Sequence, residues 1–335
     1  MKLLVTGGAG FIGSAFVRLQ MAGDDCEILN IDKLTYAGNL ENLVAVSANR
    51  RYRFLRADIC DAAAIDAAFS DFAPDAVVHF AAESHVDRSI HSPAPAIQTN
   101  VFGTFTLLEA ARRHKTQRFL HVSTDEVYGS IEAPYDADEN YPLHTSSPYS
   151  ASKAGSDLLA LSYFTTYKMN ISVTRASNNY GPYQFPEKLI PLMISNALED
   201  KALPVYGNGM QIRDWLYVDD HCRAISAVLQ KGAPGEIYNI GGSRALPNIE
   251  VVRKILAATG KPELLIEYVT DRPGHDVRYA ITTEKIEKAT GWRALVEFES
   301  GLAETVDWYR GNAAWVSRVR SGEYQRFYHQ NYATR

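Results

Sequence analysis

The segment KLLVTGGAGFIGSAFVRLQM, residues 2–21, decides the fold. Residues 2–6 form a short apolar run typical of a buried strand, and an apolar helical pattern continues to about Met21. Between them lie Gly7, Gly10 and Gly13, which allow a tight turn and a close approach of backbone N–H groups to a ligand. A strand, a Gly-rich turn and a helix in this order predict the first unit of a dinucleotide-binding sheet.

A second strand, residues 27–31, ends at Asp32, which lies 19 residues after Gly13. A carboxylate at this place can bind both hydroxyls of a ribose and repel a 2′-phosphate. The sequence therefore predicts NAD rather than NADP. A helix or turn cap is the alternative explanation for Asp32, and it ranks second.

Strands and helices alternate through the first half of the chain, with further strands at 52–56, 76–80, 118–122 and 171–175, a long helix over about residues 94–114 and a surface loop between Glu126 and Tyr149. Such alternation predicts the α/β class and a Rossmann-type doubly wound parallel sheet. From Asn178 the sequence becomes rich in Gly, Pro and aromatic residues, and we expect a smaller mixed α/β C-terminal domain. The expected domains are residues 1–177, an NAD-binding domain to which residues 215–230 return, and residues 178–335, mainly a substrate-binding domain.

Polar residues follow several predicted strands, at the edge where ligands of open α/β sheets bind. They are Asp58, which the apolar Ile59 follows, after the third strand, Ser84 and His85 after the fourth, and Thr124, Asp125 and Glu126 after the fifth. The small Ala81 and Ala82 would let a cofactor come close. His85 taken alone would be interpreted as an exposed loop histidine.

The segment YSASK places Tyr149 and Lys153 four residues apart, on one face of a helix. A lysine ammonium near a phenol favours the phenolate and lowers a pKa that starts near ~10, so Tyr149 is a candidate base. The pair alone is a weak signal, because a chain with 19 Tyr contains such a pair by chance. The nucleotide site and the acids after the fifth strand favour the catalytic interpretation.

Composition excludes several classes of protein. A net charge of −5 and a pI near 6.0 argue against a nucleic-acid partner. Three widely separated cysteines suggest neither disulfides nor a metal site, and they fit a reducing cytoplasm. We also expect no signal peptide and no membrane span, because no apolar run is long enough.

Seven segments, in this order, resemble the extended short-chain dehydrogenase/reductase superfamily, and within it the family of dTDP-glucose 4,6-dehydratases. They are TGGAGFIGS, AAESHVDRS, STDEVYG, YSASK, NNYGPYQFPEKLIP, RDWLYVDDH and DRPGHD. The most telling feature is Asp125 followed by Glu126. Similar 4-epimerases carry small or hydroxyl residues at these two positions, and similar UDP-glucuronate decarboxylases have a Glu without the preceding Asp.

The resemblance implies a reaction on dTDP-glucose. Tyr149, aided by Lys153 and Thr124, takes the O4 proton as hydride passes from C4 to NAD. Glu126 then removes the C5 proton, Asp125 protonates the departing C6 hydroxyl, and the hydride returns to C6. The product is a 4-keto-6-deoxy sugar nucleotide. This scheme requires a protonated Asp125 beside an ionised Glu126.

The resemblance also implies the binding residues and a homodimer that pairs through two long helices. NAD is expected on Gly7, Gly10, Phe11, Ile12, Gly13, Asp32, Lys33, Leu34, Thr35, Asp58, Ile59, Ala81, Ala82, Thr99, Tyr149, Lys153 and Asn179. The sugar nucleotide is expected on Ser84, His85, Thr124, Asn178, Lys188, Leu189, Pro204, Val205, Tyr206, Arg213, Asn248, Asp271, Arg272, His275 and Asp276.

Two alternatives remain open at this point. The first is a UDP-sugar 4,6-dehydratase or a 4-epimerase of the same fold, because nucleotide preference depends on loop contacts. The second is a non-catalytic NAD-binding protein, which predicts a damaged catalytic set; here the set is intact.

Overall fold

The computed structural model describes residues 1–242, 244–320 and 323–332. Its strands, in chain order, are β1 (Lys2–Thr6), β2 (Glu27–Asp32), β3 (Tyr52–Arg56), β4 (Ala76–His79), β5 (Arg118–Thr124), β6 (Ile171–Ala176), β7 (Asn178–Tyr180), β8 (Leu203–Tyr206), β9 (Ile212–Tyr217), β10 (Ile237–Ile240), β11 (Ala245–Pro247) and β12 (Ile266–Val269).

The helices begin with α1 (Phe11–Ala22), α2 (Val44–Ser47), α3 (Ala62–Phe72), α4 (Val86–His91), α5 (Ala94–Ala96), α6 (Thr104–Arg113) and α7 (Pro148–Tyr167). The second half contains α8 (Leu189–Leu198), α9 (Val218–Lys231), α10 (Asn248–Thr259), α11 (Glu284–Thr290), α12 (Phe298–Gly311), α13 (Ala313–Val319) and α14 (Glu323–Tyr332). Short 3₁₀ helices span Leu40–Leu43, Asp125–Tyr128 and Glu263–Leu265, and Ile97–Gly103 is a π-helical segment.

Seven parallel strands form the main sheet in the order β10-β6-β5-β4-β1-β2-β3. The strand order reverses beside β1, between β2 and β4, where a doubly wound sheet opens a crevice at the carboxyl ends of its strands. Two smaller sheets, β11-β9-β7 and β12-β8, belong to the second half of the chain. The predicted fold class, a Rossmann-type parallel sheet with a smaller mixed C-terminal part, is confirmed.

The strands at the centre of the sheet are buried on both faces, as their continuous apolar sequences require. Leu3, Leu4 and Val5 in β1 are wholly inaccessible to solvent. Helix α9 packs on α1 against one face of this sheet, and β10 then pairs with β6. Strand β10 did not feature in the sequence expectations, because four residues between glycine-containing turns give too short a pattern to distinguish from a loop.

Two segments differ from the sequence expectations. The helix expected over residues 94–114 is present but contains the π-helical turn, where Gly103 lies so close to Ile59 that a Cβ atom would be 2.5 Å from its Cδ1. The loop between Glu126 and Tyr149, expected at the surface, buries Ile131 and Ala137. Its acid Glu139 accepts a hydrogen bond from the N–H of Asn239 at 2.9 Å, which ties the loop to β10.

The C-terminal half has an aromatic core of its own, which includes Tyr180, Trp215, Phe298 and Tyr309. Helix α14 packs onto this half, and the hydroxyl of Tyr324 donates to the carbonyl of Pro186 at 3.0 Å. No helix among the described residues has the length and apolar character needed to cross a membrane.

Candidate active site

A cavity of about 400 Å³ opens at the carboxyl ends of β1, β2, β4, β5 and β6 and is closed on its other side by residues from the second half of the chain. Within this single cavity lie the Gly-rich turn, the acids after β5, the YSASK helix and three buried or partly buried cations. The cations are Lys188, Arg213 and Arg272. The topology thus brings together sequence segments that are up to about 270 residues apart.

The Gly-rich turn leaves no room for side chains. Gly7 has a φ of +72°, and a Cβ atom there would lie 2.6 Å from the backbone nitrogen of Ala81. A Cβ atom on Gly13 would lie 2.3 Å from the carbonyl oxygen of Gly7. Gly10 begins α1 without a side-chain cap, so the first N–H groups of the helix are open to a phosphate. This cradle fits the pyrophosphate of a dinucleotide.

Asp32, at the end of β2, holds the turn in place. Its Oδ2 accepts a hydrogen bond from the N–H of Ala9 at 3.0 Å, and its Oδ1 accepts one from the N–H of Leu34 at 2.8 Å. Burial raises the pKa of this carboxyl, and the two N–H donors oppose that rise. Asp32 therefore has a structural part in the turn besides any contact with a ribose.

The part of the cavity next to Asp32 also contains Lys33, Asp58, Ile59 and Thr99. Lys33 Nζ lies 2.6 Å from Asp58 Oδ2, so that this ion pair joins the loops after β2 and β3. Ile59 is apolar and the other three residues are polar, a combination that suits the ring face and the polar edge of an adenine.

The last residue of β5 and the two acids that follow it form one capped turn. The hydroxyl of Thr124 accepts a hydrogen bond from the N–H of Glu126 at 3.2 Å and begins the 3₁₀ helix Asp125–Tyr128. Asp125 is buried, and its Oδ2 has no hydrogen-bond partner among the described residues. Burial, then the negative charges of Glu126 and Asp214, raise the pKa of Asp125 well above its usual value. Asp125 is therefore suited to carry a proton at neutral pH.

Helix α7 begins with a capping box in which Ser147 and Ser150 cap each other's backbone N–H groups, and this fixes Tyr149 in the first turn. One turn later, Lys153 Nζ donates to the carbonyl of Val122 at 2.8 Å. Burial lowers the pKa of Lys153 to about 8, and Asp157 opposes that fall.

The expectation that the pKa of Tyr149 is lowered was wrong for the protein alone. Burial, then the charge of Glu126, raise the pKa of Tyr149, and a hydrogen bond with Thr124 opposes the rise. The physical reason is that an apolar cavity and a carboxylate both disfavour a phenolate, whereas the ammonium of Lys153 is bonded to a backbone carbonyl. The surroundings that the chain itself provides therefore favour the neutral phenol at Tyr149.

The other end of the cavity is cationic. Lys188 Nζ donates to the carbonyl of Ser84 at 2.6 Å, which joins α8 to the loop after β4. The guanidinium of Arg213 stacks on Tyr279, with 4.1 Å between Cζ and the ring centroid, and its Nη2 donates to the carbonyl of Asp276 at 2.9 Å. Fixed guanidinium groups of this kind match a diphosphate.

Arg272 is oriented by an acid that the sequence did not single out. Asp87 lies 3.7 Å from Arg272 Nη1 and accepts a hydrogen bond from the hydroxyl of Tyr206 at 3.1 Å. In the same turn, His275 Nδ1 lies 2.6 Å from Asp271. Burial and then Arg272 lower the pKa of His275 to about 4, so its ring is neutral at pH 7.

Most of the expected site residues line the cavity. Four do not: Leu34, Asp271 and Asp276 are hydrogen-bonded to lining residues instead, and Val205 lies in the apolar core of the C-terminal half. The lining residues that sequence reasoning missed include Asp87, Glu187, Tyr279 and His221. Asp87, Glu187 and His221 lie within the recognised motifs, in HVDRS, FPEK and VDDH, and Tyr279 lies just beyond one. Their place in these motifs is the sequence signal that could have predicted them.

No group of three or more His, Cys, Asp or Glu side chains is arranged to hold a metal ion in the described ranges. The ionisable side chains that line the cavity are those of acids, tyrosines, histidines, lysines and arginines.

Comparison with known proteins gives a consistent result. A family model described as GDP-mannose 4,6 dehydratase matches residues 4–305. A dTDP-glucose 4,6-dehydratase of Shigella flexneri is 53% identical, with 100% of each chain covered. The crystal structure of DesIV, a dTDP-glucose 4,6-dehydratase from Streptomyces venezuelae with NAD bound, is 50% identical, with a TM-score of 0.93, and the match covers 95% of this chain and 100% of that one.

A more distant structure, the UDP-glucose 4-epimerase of Thermus thermophilus in complex with NAD, is 32% identical, with a TM-score of 0.87. The match covers 93% of this chain and 100% of the epimerase. The resemblance inferred from the sequence motifs is confirmed, and the dehydratases match this chain better than this epimerase does.

Proposed function

The chain belongs to the GDP-mannose 4,6 dehydratase family, and on that premise we propose that it is an NAD-dependent hydro-lyase that converts dTDP-glucose to dTDP-4-keto-6-deoxyglucose. The observation that carries this proposal is the meeting of a buried acid, a second carboxylate and a phenol in one cavity. They are Asp125, Glu126 and Tyr149.

The residues present fit NAD. The Gly-rich turn and the uncapped start of α1 would hold its pyrophosphate, and Asp32 one ribose. The side chains of Lys33, Asp58, Ile59 and Thr99 would flank the adenine end. When bound, NAD takes up hydride from C4 of the sugar and later returns hydride to C6.

Tyr149 is placed to exchange a proton with O4 of the sugar, and Thr124 is hydrogen-bonded to its hydroxyl. Because the chain itself raises the pKa of Tyr149, proton removal depends on added positive charge in the cavity. Lys153, held by Val122, is the cation that the chain supplies on the same helix face. A ketone at C4 then acidifies the proton on C5.

Elimination of water needs a base at C5 and an acid at the C6 hydroxyl. Glu126 is partly open to the cavity and serves as the base. Asp125 is buried, its pKa is raised, and it serves as the acid. Both groups are delivered by one turn, so the base and the acid lie on neighbouring backbone positions and serve the adjacent carbons C5 and C6 of one sugar.

Lys188, Arg213 and Arg272 provide three positive charges for the diphosphate of the sugar nucleotide. In this arrangement residues 1–177, with residues 215–230, hold mainly NAD, and the rest of the chain holds mainly the sugar nucleotide. The residues that line the cavity on its two sides support this proposed division.

We further propose a homodimer and a cytoplasmic location. The π-helical segment, α6 and α7 pack together, and they expose large apolar side chains at Phe102, Phe105 and Leu158. Exposed apolar groups on paired helices are typical of an interface. The three free cysteines, Cys26, Cys60 and Cys222, fit a reducing compartment.

The decisive experiment incubates the purified protein with dTDP-glucose and follows the near-ultraviolet absorbance of the 4-keto product in alkali. Formation of that product, with no net consumption of NAD, is the expected result. Parallel reactions with UDP-glucose, analysed for dehydrated and for epimerised sugar, separate the proposal from its alternatives. If UDP-galactose were the sole product of any reaction, the chain would be an epimerase instead.

A further inference from the structure

The guanidinium of Arg88 lies between two aromatic rings from distant parts of the chain. Its Cζ is 3.7 Å from the ring centroid of Tyr36 and 4.2 Å from that of Phe327. Tyr36 belongs to the loop after β2, beside Lys33 and Thr35 of the cavity wall, and Phe327 belongs to α14. Planar cations are held in one orientation by stacking on aromatic faces.

The same guanidinium pairs with a buried acid. Arg88 Nε lies 3.0 Å from Glu187 Oε2, and the Glu187 side chain is 3% exposed. Tyr36 forms a further hydrogen bond with this carboxylate. A carboxylate buried to this degree requires a paired charge, so the position of Glu187 depends on Arg88.

Two cavity residues are attached directly to this group. Lys188, the residue after Glu187, donates from Nζ to the carbonyl of Ser84 at 2.6 Å. His85 packs the edge of its ring against Phe327, with 5.1 Å between ring centroids, and its Nε2 lies 3.4 Å from the carbonyl of Glu187. Both residues line the cavity.

We propose that Arg88 is a positioning residue for sugar-nucleotide binding, and that Tyr36, Glu187 and Phe327 of the C-terminal helix hold its guanidinium in place. We call these three side chains the seat of Arg88. Helix α14 thereby fixes His85 and Lys188 at the active site, although Phe327 itself does not line the cavity. Because Tyr36 belongs to the loop after Asp32, the seat also contacts the loop that carries the expected cofactor-binding residues. The proposal rests on the proposed function for the identity of the nucleotide.

Two variants test the seat. Phe327→Leu keeps apolar packing but removes the ring from the guanidinium, and Arg88→Lys keeps the charge but removes the planar group. Each is expected to weaken binding of dTDP, measured by calorimetry on the NAD-loaded protein, on the order of three- to tenfold. The KM for dTDP-glucose should rise by a similar factor, with a smaller change in kcat, because neither side chain performs a chemical step.

Two controls separate positioning from general damage. Arg326→Ala changes an exposed residue of the same helix and should bind dTDP as the wild type does. Val316→Ala removes buried volume in α13 away from the cavity, so it should lower the melting temperature without weakening dTDP binding. Tyr36→Phe, which keeps the ring and loses the hydroxyl, should weaken binding less than Arg88→Lys.

The seat would be rejected if Phe327→Leu and Arg88→Lys bound dTDP as tightly as the wild type, or if Val316→Ala with an equal loss of melting temperature weakened binding equally. Retention of NAD during gel filtration gives an independent measure, because it depends on the Tyr36 loop and needs no sugar nucleotide. Lower retention in Arg88→Lys than in Arg326→Ala supports the seat even where the wild type fails to turn over dTDP-glucose.

Discussion

Asp125 and Glu126 are consecutive residues, yet Asp125 is 2% exposed, whereas Glu126 is partly open to the cavity. Both carboxyls line the cavity, but the 3₁₀ turn that follows Thr124 buries the carboxyl of Asp125 and leaves that of Glu126 partly exposed. Burial and then the charge of Glu126 raise the pKa of Asp125. Two neighbouring acids thereby obtain different surroundings, as acid and base catalysis of one elimination requires.

Replacement of the buried acid should block the departure of water. Asp125→Asn keeps the shape of a protonated carboxyl but cannot give a proton to the C6 hydroxyl, so kcat should fall by roughly 10²- to 10⁴-fold. Exchange of the C5 proton with deuterated solvent, followed by mass spectrometry, should persist. Loss of exchange together with turnover would show that Asp125 acts before elimination.

The neighbouring substitution should give the complementary result. Glu126→Gln removes the base, so both turnover and C5 exchange should fall by about 10²-fold or more. The same deuterium measurement checks this, with Asp125→Asn as the matched variant. If Glu126→Gln exchanged C5 as fast as Asp125→Asn, the assignment of the base would be wrong.

Tyr149 should act in an earlier step of the reaction than Asp125 and Glu126. Tyr149→Phe removes the group that takes the O4 proton, so oxidation at C4 should be lost and no transient near-ultraviolet absorbance of reduced cofactor should form. Tyr163→Phe is the control, because its hydroxyl donates to Glu109 on α6 at 2.8 Å and lies outside the cavity. Turnover by Tyr149→Phe at the wild-type rate would remove Tyr149 from the mechanism.

Lys153 should set the alkaline limit of the enzyme. Burial lowers its pKa from 10.5 to about 8, so its positive charge is lost as the pH rises through about 8. The rate should therefore fall above that pH, and the Lys153→Met variant, already slow, should lack this descending limb. A descending limb at the same pH in Lys153→Met would assign it to another group.

The lowered pKa of Lys153 should also make the free energy of unfolding depend on pH. Between about 8 and 10.5 the unfolded chain holds a proton on Lys153 that the folded chain has released, so the free energy of unfolding should rise with pH over this window. Urea unfolding of the wild type and Lys153→Met measures the difference. An unfolding free energy that rises equally in both proteins would contradict the effect.

A single methyl group in the Gly-rich turn should abolish cofactor binding. In Gly13→Ala the new Cβ would lie 2.3 Å from the carbonyl oxygen of Gly7 and 2.9 Å from the Cα of Gly8, and these backbone atoms cannot swing aside as a flexible side chain can. NAD content after purification should fall sharply. Gly311→Ala, where nothing lies within 4 Å, is the control and should keep NAD with unchanged or slightly higher stability.

The proposed homodimer should depend on the exposed face of α7. Leu158 is 58% exposed, so Leu158→Lys should cost little in the folded subunit but place a charge in an apolar interface. Light scattering should then report a monomer where the wild type is a dimer. Lys168→Glu, a charge change at the C-terminal end of the same helix, is the control; a dimer in both variants would exclude this face.

The sequence by itself determined the first half of the fold and the identity of the chemical groups. Gly7, Gly10 and Gly13 were recognisable because a close backbone approach tolerates no side chain, and Asp32 because strand length fixes its distance from the turn. The catalytic set was recognisable because Thr124, Asp125 and Glu126 are contiguous and Tyr149 and Lys153 lie one helical turn apart. Each of these features depends only on residues that are close together in the sequence, so the sequence alone can predict it.

The tertiary structure decided the electrostatics and the distant supports. Burial differs between Asp125 and Glu126, and burial and the charge of Glu126, rather than the charge on Lys153, control the pKa of Tyr149. Arg88 meets Glu187 across 99 residues of chain and also meets the C-terminal helix, which the sequence left without a role. The physical reason is that desolvation and charge pairing depend on everything packed around a group, and no periodicity along the chain encodes that neighbourhood.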